Sequence, residues 1–257
     1  MSIYFYTPKE IDIIVEGGHI LAQILKQVSQ QVRPGVSTKE LDDLAEKLIL
    51  ESGGQVAFKG YKPDLNGRPF PTTICTSVNN EVVHAPASAS RILKIGDIIG
   101  LDLGMKYNGY YTDHAITVGV GKISKIAEKL IKVTRQALDL GIQQAKAGNT
   151  VYDISAAVQQ HVEDNGFSVV RALVGHGVGK KVHEDPVVPN FTHYSSKKIY
   201  LQYGMVIAIE PMINVGDYEV DIAADGFTYV TSDNSLSAHF EHTITIGKTK
   251  GKVLTEA

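Results

Sequence analysis

Residues 93–102 read LKIGDIIGLD and residues 201–210 read LQYGMVIAIE, so the chain writes one strand twice, closing each copy on an acid, Asp102 and then Glu210. DHAITVG (113–119) and EHTITIG (241–247) repeat a second strand, with Asp113 matched to Glu241. Helical patterns repeat as well: GVSTKELDDLAEKLILESG (35–53) and GNTVYDISAAVQQHVEDNG (148–166) align without a gap. Ser37 with Glu40 forms a capping box, and Thr150 with Asp153 a weaker one. A further helix precedes each, one started by Thr7, Pro8 and Glu10 and running to about Val32, the other started by Ser124 and running to about Lys146. Each half therefore reads helix, helix, connecting segment, strand pair, with the boundary near Gly121. Two such units bury their apolar strands best by merging sheets around a pseudo-twofold centre with helices outside. The expectation is a single α+β domain with largely antiparallel strands and two repeated halves, about 1–121 and 122–257. Two long units, rather than three or more short ones, argue against a solenoid.

The acids are placed by the hairpin chemistry. Asn108-Gly109 is the strongest short turn signal, and it joins strands expected over 97–106 and 110–119. With those two residues as the loop, Asp102 lies across from Ala115 and Asp113 across from Gly104. The two aspartates are then diagonal neighbours on one face, within roughly 7–8 Å at the backbone. Glu210 and Glu241 belong to strands joined by a longer connection, so their pairing does not follow from a turn; symmetry places them facing the first pair. Most Asp and Glu sit on solvated faces, but IIGLDLG and VIAIEPM lack the polar alternation of a half-exposed strand. Four carboxylates in apolar runs are costly unless something neutralises them, and a divalent metal is the simplest remedy. Oxygen ligands alone suit Mg or Mn as well as softer transition metals.

Histidines narrow the choice. ALVGHGVGKKVHEDP holds His176 between two glycines and His183 further on, and SVNNEVVHAP holds His84. Glycines at 175, 177 and 179 are read here as allowing the backbone close approach to a ligand. Two bridging carboxylates and three further ligands can hold two divalent ions about 3.5–4 Å apart, a spacing that suits metal-assisted hydrolysis. The remaining composition excludes other classes. A net charge of −3 gives no electrostatic case for direct nucleic-acid or anionic-membrane binding. No segment approaches the roughly 18 apolar residues of a membrane span, and the start MSIYFYTPKE has no signal-peptide pattern. A single cysteine, Cys75, excludes an internal disulfide and favours a reducing compartment, most simply the cytoplasm. Cys75 has no helix start or adjacent base to activate it as a nucleophile, and GHGVGKK fits neither phosphate-loop pattern.

The segments SVNNEVVHAP, LDLG, YTDHAIT, VGHGVGKKVHEDP, AIEPM and FEHTITI, in this order and spacing, resemble type I methionine aminopeptidases of the bacterial form, over nearly the whole chain. The resemblance implies the pita-bread (creatinase/aminopeptidase) fold, a pseudo-twofold-symmetric antiparallel sheet covered by helices. It implies two divalent ions (Co, Mn, Fe or Zn): Asp102 as a two-oxygen ligand of one, Asp113 and Glu241 as bridges, His176 and Glu210 as ligands of the other. Glu210 is also the implied acid/base for the attacking water. His183 is implied to hydrogen-bond the scissile carbonyl, and His84 to contact the scissile nitrogen. Substrates would be peptides and nascent chains that begin with methionine and carry a small second residue; Ser2 makes this chain one itself. A monomer is expected, with the ribosome as a partner to test.

The chain departs from the family in its side-chain pocket. Phe58, Tyr61, Phe70, Cys75 and Phe227 fall in the matching segments, with Phe58 where a cysteine is common and Phe227 where a tryptophan is common. Val83 replaces a cysteine and Ala85 a glycine around His84, and the stretch 61–71 is longer than usual. Neither a zinc-finger-like amino-terminal extension nor the helical insertion of type II enzymes is seen. A proline-specific relative of the same fold and a metal-free binding protein are the competing readings; the first generally carries an additional amino-terminal domain, and the second should have lost ligands.

Overall fold

The computed structural model describes residues 3–62 and 67–257, so part of the lengthened stretch, 63–66, and Ser2 lie outside the described residues. Helix α1 (Pro8–Ser29) opens at the expected Thr7 start, on a capping box in which the Thr7 side chain and Glu10 close on each other's backbone N–H. Helix α2 (Thr38–Glu51) does the same through Ser37 and Glu40. Helix α3 (Lys125–Gln144) starts after Ser124, and α4 (Val151–Asp164) starts where the Asp153 carboxylate accepts from the Thr150 backbone N–H and hydroxyl. Helix α1 stops three residues before Val32. Ser29 turns its hydroxyl back onto the Lys26 carbonyl, and Pro34 disfavours helical backbone just before it.

All strand pairs are antiparallel. Among the described residues the main sheet has nine strands, seven of them in the order Gln55–Val56, Ile98–Tyr107, Tyr110–Gly119, Glu241–Thr245, Val206–Ile209, Gly175–Gly177 and Glu184–Val188. Ile74–Val78 adds to Ile98–Tyr107, and Lys252–Val253 adds to Glu241–Thr245. The sheet is continuous because Tyr110–Gly119, from the first copy, pairs directly with Glu241–Thr245, from the second. The strands of each copy are covered by their own helices. Leu21, Leu25, Leu41 and Ile49 of α1 and α2 pack with Ile99, Leu101 and Leu103. Leu138, Ile142, Val151 and Ile154 of α3 and α4 pack with Ile207, Ile209 and Ile244. Helix α1 lies hard against the chain end, since a Cβ on Gly18 would come within 2.2 Å of the Leu254 carbonyl oxygen.

The long connection between Glu210 and Glu241 builds structure of its own. Met212–Asn214 joins Ser168–Val169 and Ser237–His239 in one three-stranded sheet, and Val220–Ile222 with Tyr229–Thr231 meets Glu81–Val83 in another. This connection forms one wall of the cleft over the main sheet. Among the described residues no helix is long and apolar enough to cross a membrane.

Candidate metal centre

The hairpin at Asn108-Gly109 has both loop residues at positive φ, 46° and 90°, as a type I′ turn requires. That turn sets the register: Asp102 opposes Ala115 and Gly104 opposes Asp113. Carried outward, the same register makes one row across the sheet, because Cys75 opposes Asp102 and Glu241 opposes Ala115. His242 opposes Ile209, so one step further Glu210 comes level with Glu241. Residues level across a sheet share a face, so Asp102, Glu241 and Glu210 point the same way, Asp113 joins them diagonally, and the methyl of Ala115 leaves the room between. Gly177 opposes Ile207, which brings His176 level with Ala208, on the same face as Glu210. A hydroxyl fixes the strand join: Thr243 Oγ1 accepts from the Asp113 N–H at 2.9 Å and donates to the Asp113 carbonyl at 2.8 Å.

The solvated-face alternative is thereby excluded. Asp102, Asp113 and Glu241 are 8%, 4% and 2% exposed. Ligand atoms of Asp113, His176 and Glu241 lie within 4.8 Å of one another. His176 Nε2 is 3.3 Å from Glu210 Oε1, and its Nδ1 is 2.9 Å from the Gly177 carbonyl, which leaves Nε2 without the proton and ready to ligate. Burial raises the pKa of Asp113 to about 7. Burial and the neighbouring Asp113 raise Asp102, and burial with repulsion from Asp113 and its neighbours raises Glu210 and Glu241 well above the carboxylate range. Asp102 Oδ1 and Glu241 Oε1 are buried and receive no hydrogen bond from the described residues. Four acids that resist ionisation, two with orphaned oxygens, beside an imidazole stripped of its proton, fit a divalent cation.

The other expected residues line a single cavity of about 610 Å³: Phe58, Tyr61, Phe70, Cys75, His84, His183 and Phe227 all border it together with the acids. Ligand cavities are typically of about this size, apolar with a few convergent polar groups. His84 takes positive φ (61°), uncommon for a residue with a Cβ, and its ring sits 5.7 Å from that of Tyr229. Burial, then the charge of His183, lowers its pKa to about 4, so it is neutral near pH 7. His183 stands at the exposed rim with its Nδ1 2.7 Å from the Tyr61 hydroxyl and its ring 4.4 Å from that of His176. The loop that carries it is pinned from the amino terminus. Lys180 N–H donates to the Tyr6 hydroxyl, which donates in turn to Glu184. Phe70 and Phe227 meet edge to face at 5.6 Å, and Cys75 is held as a neutral thiol by burial and the charge of Asp102.

One reading is corrected and three residues are added. Gly177 serves strand packing, not ligand approach, and Gly175, which does border the cavity, is held small by packing as well: a Cβ would come within 2.5 Å of the Ala208 carbonyl oxygen at Gly175 and 2.2 Å of the Asp185 carbonyl oxygen at Gly177. Gly179, at φ 145°, makes room for the Tyr6 ring. His239, not anticipated, is buried with Nε2 3.8 Å from Glu241 Oε2 and 3.9 Å from Glu210 Oε2. The signal was available, since SAHFEH puts His239 two residues before Glu241 and hence on its face. His114 and His242, each next to a predicted acid, stack at 4.5 Å, and His114 Nδ1 bonds the Glu241 carbonyl, bracing the bridge strands from behind.

A paired-half sheet whose acids and histidine converge under an apolar cleft defines a metal-dependent hydrolase of the pita-bread fold. Residues 12–248 match the Peptidase_M24 profile, metallopeptidase family M24, and the chain belongs to that family. It is 48% identical to the methionine aminopeptidase of Clostridium perfringens over 96% of each chain. The crystal structure of methionine aminopeptidase from Thermotoga maritima is similar along all of both chains, with a TM-score of 0.94 at 38% identity. The Xaa-Pro dipeptidase from Bacillus anthracis shares the fold at TM-score 0.76 and 21% identity, over 98% of this chain and 62% of that one.

Proposed function

We propose that this chain is a methionine aminopeptidase, which removes the N-terminal methionine from polypeptides by hydrolysing their first peptide bond, with preference for a small second residue. The observation that carries this reading is the level row of Asp102, Glu241 and Glu210, with Asp113 and His176 beside it, at the floor of an apolar cavity. The chain works as one catalytic domain of two halves, about 1–121 and 122–257, since the first supplies Asp102 and Asp113 and the second His176, Glu210 and Glu241. Two ions per chain, of Co, Mn, Fe or Zn, would be held by Asp102 on one side and by His176 and Glu210 on the other, with Asp113 and Glu241 between them. When bound, they supply Lewis-acid polarisation of the scissile carbonyl, a water of lowered pKa and an anchor for the free α-amine.

The chain's own groups do the rest. Glu210 takes the proton of the attacking water and returns it to the departing nitrogen. The Tyr61 hydroxyl, donating to His183 Nδ1, leaves Nε2–H as the donor that meets the carbonyl oxygen as its charge grows. His84, kept neutral, contacts the scissile nitrogen. The methionine side chain lies among Phe58, Tyr61, Phe70, Cys75 and Phe227, where burial of such a side chain contributes about 1.5–3 kcal/mol. The enzyme acts as a cytoplasmic monomer on peptides and nascent chains, with ribosome contact a matter for direct measurement.

With Mn²⁺ present, Met-Ala-Ser should release free methionine while its N-acetylated form stays intact. Faster cleavage of an Xaa-Pro peptide would transfer the chain to its proline-specific relatives. His183→Ala should lower kcat on the order of 10²–10³-fold with metal content unchanged by elemental analysis; metal loss would mean that His183 is a ligand.

A further inference from the structure

We infer that His239 is a positioning residue of the metal centre: its Nε2–H donates to Glu210 and Glu241 and turns the remaining oxygens of both carboxylates toward the ions. The inference rests on the metal-centre reading above. His239 Nε2 is buried and bonds to nothing among the described residues, although it lies between two carboxylates, 3.8 Å from Glu241 Oε2 and 3.9 Å from Glu210 Oε2. A buried donor without an acceptor is costly, and among the described residues the charged groups paired with this one are those two acids. Carboxylates that hold a cation are ionised, and a bare nitrogen lone pair facing two of them would repel both, so the tautomer with the proton on Nε2 is the one that fits.

The oxygens of each acid are already divided. Glu210 presents Oε1 to His176 Nε2 at 3.3 Å and Oε2 to His239. Glu241 presents Oε2 to His239, while its Oε1 has no hydrogen-bond partner among the described residues. About 1 Å of closure, a small turn of each carboxylate, brings both contacts into hydrogen-bond range. The imidazole is held ready for this. Thr117 Oγ1 accepts from the His239 N–H at 2.9 Å and donates to the His239 carbonyl at 2.8 Å, clamping its backbone as Thr243 clamps that of Asp113. Ligating carboxylates are commonly oriented by such partners, whose loss weakens metal binding by about 10–100-fold.

The test compares His239→Gln, whose amide can donate from nearly the same place, with His239→Met, of similar shape and no donor. Metal-free protein is titrated with Mn²⁺ by calorimetry. The Gln variant should bind within about threefold of wild type, and the Met variant about 10–100-fold more weakly at one of its sites. Wild-type affinity in the Met variant, or equal losses in both, overturns the role. If the Met variant does not fold, His239→Leu replaces it; if neither folds, a Gln variant with lowered affinity still refutes the donor and one with full affinity upholds it. A changed visible spectrum of the Co²⁺-loaded Gln variant would make His239 a direct ligand and also overturn the proposal. Failure of the wild type to release methionine would sink the aminopeptidase reading and leave the calorimetric comparison standing.

Discussion

Glu241→Gln should lower methionine release from Met-Ala-Ser on the order of 10³-fold and abolish the thermal stabilisation conferred by Mn²⁺. The side chain keeps its shape, so the fold is preserved. The loss is electrostatic: an acceptor beside Asp113 and His176 becomes an amide whose hydrogens repel a cation. Wild type at a hundred times its dissociation constant gains about 2.7 kcal/mol from the metal, and the variant should gain almost none. Without metal the sign reverses. Burial first, and then repulsion from Asp113, Glu210 and Asp102, raises the pKa of Glu241, so replacing it with a neutral amide removes that cost and the metal-free variant should melt above metal-free wild type. Melting curves in EDTA and in Mn²⁺, alongside turnover, check both halves. A variant with full activity and an undiminished Mn²⁺ shift would end the bridging role of Glu241.

That such a test can be written at all reflects which parts of this chain are local. The register of the first hairpin is set by two residues, Asn108 and Gly109, and the expected opposition of Asp102 to Ala115 and of Asp113 to Gly104 is the one found. Helix starts are likewise local, since a cap and its N3 acid lie within one turn; helix ends are less so, and α1 stops before Val32 because of a downstream proline. The meeting of Glu210 with Glu241 depends on chain far away in sequence. Their connection contributes two strands to each of two separate three-stranded sheets before the strands pair, and the repeat alone said only that the acids should converge. The glycines around His176 were misjudged for the same reason. What crowds Gly175 and Gly177 are carbonyls of Ala208 and Asp185, neighbours that only the assembled sheet supplies. His239 was overlooked because it is part of no repeat: its counterpart two residues before Asp113 is Tyr111.

The same buried charges should shape stability against pH in the metal-free protein, giving a maximum near pH 6–7 and a fall on the alkaline side that Mn²⁺ removes. On the acid side the histidines dominate. Burial lowers His84 and His114 to about 4 and His176, His239 and His242 to about 3, so between these values and 6.5 the unfolded chain binds more protons and stability rises with pH. The carboxylates act oppositely. Their folded pKa values are raised, Asp113 to about 7 and Asp102, Glu210 and Glu241 well upward, so the folded state keeps protons that the unfolded chain has lost. The stability they contribute is complete at low pH and disappears as pH rises through those folded values, so they govern the slope between about 6.5 and 8, as unfolded imidazole loses its protons. Divalent ions displace those same protons, so binding should release protons, measurable by calorimetry in buffers of different ionisation enthalpy, and should tighten as pH rises. Melting temperatures from pH 5 to 9 in EDTA and in Mn²⁺ give the profile. An alkaline fall that persists in saturating Mn²⁺, or that is as steep in Glu241→Gln as in wild type, would show that it arises elsewhere than in this carboxylate row.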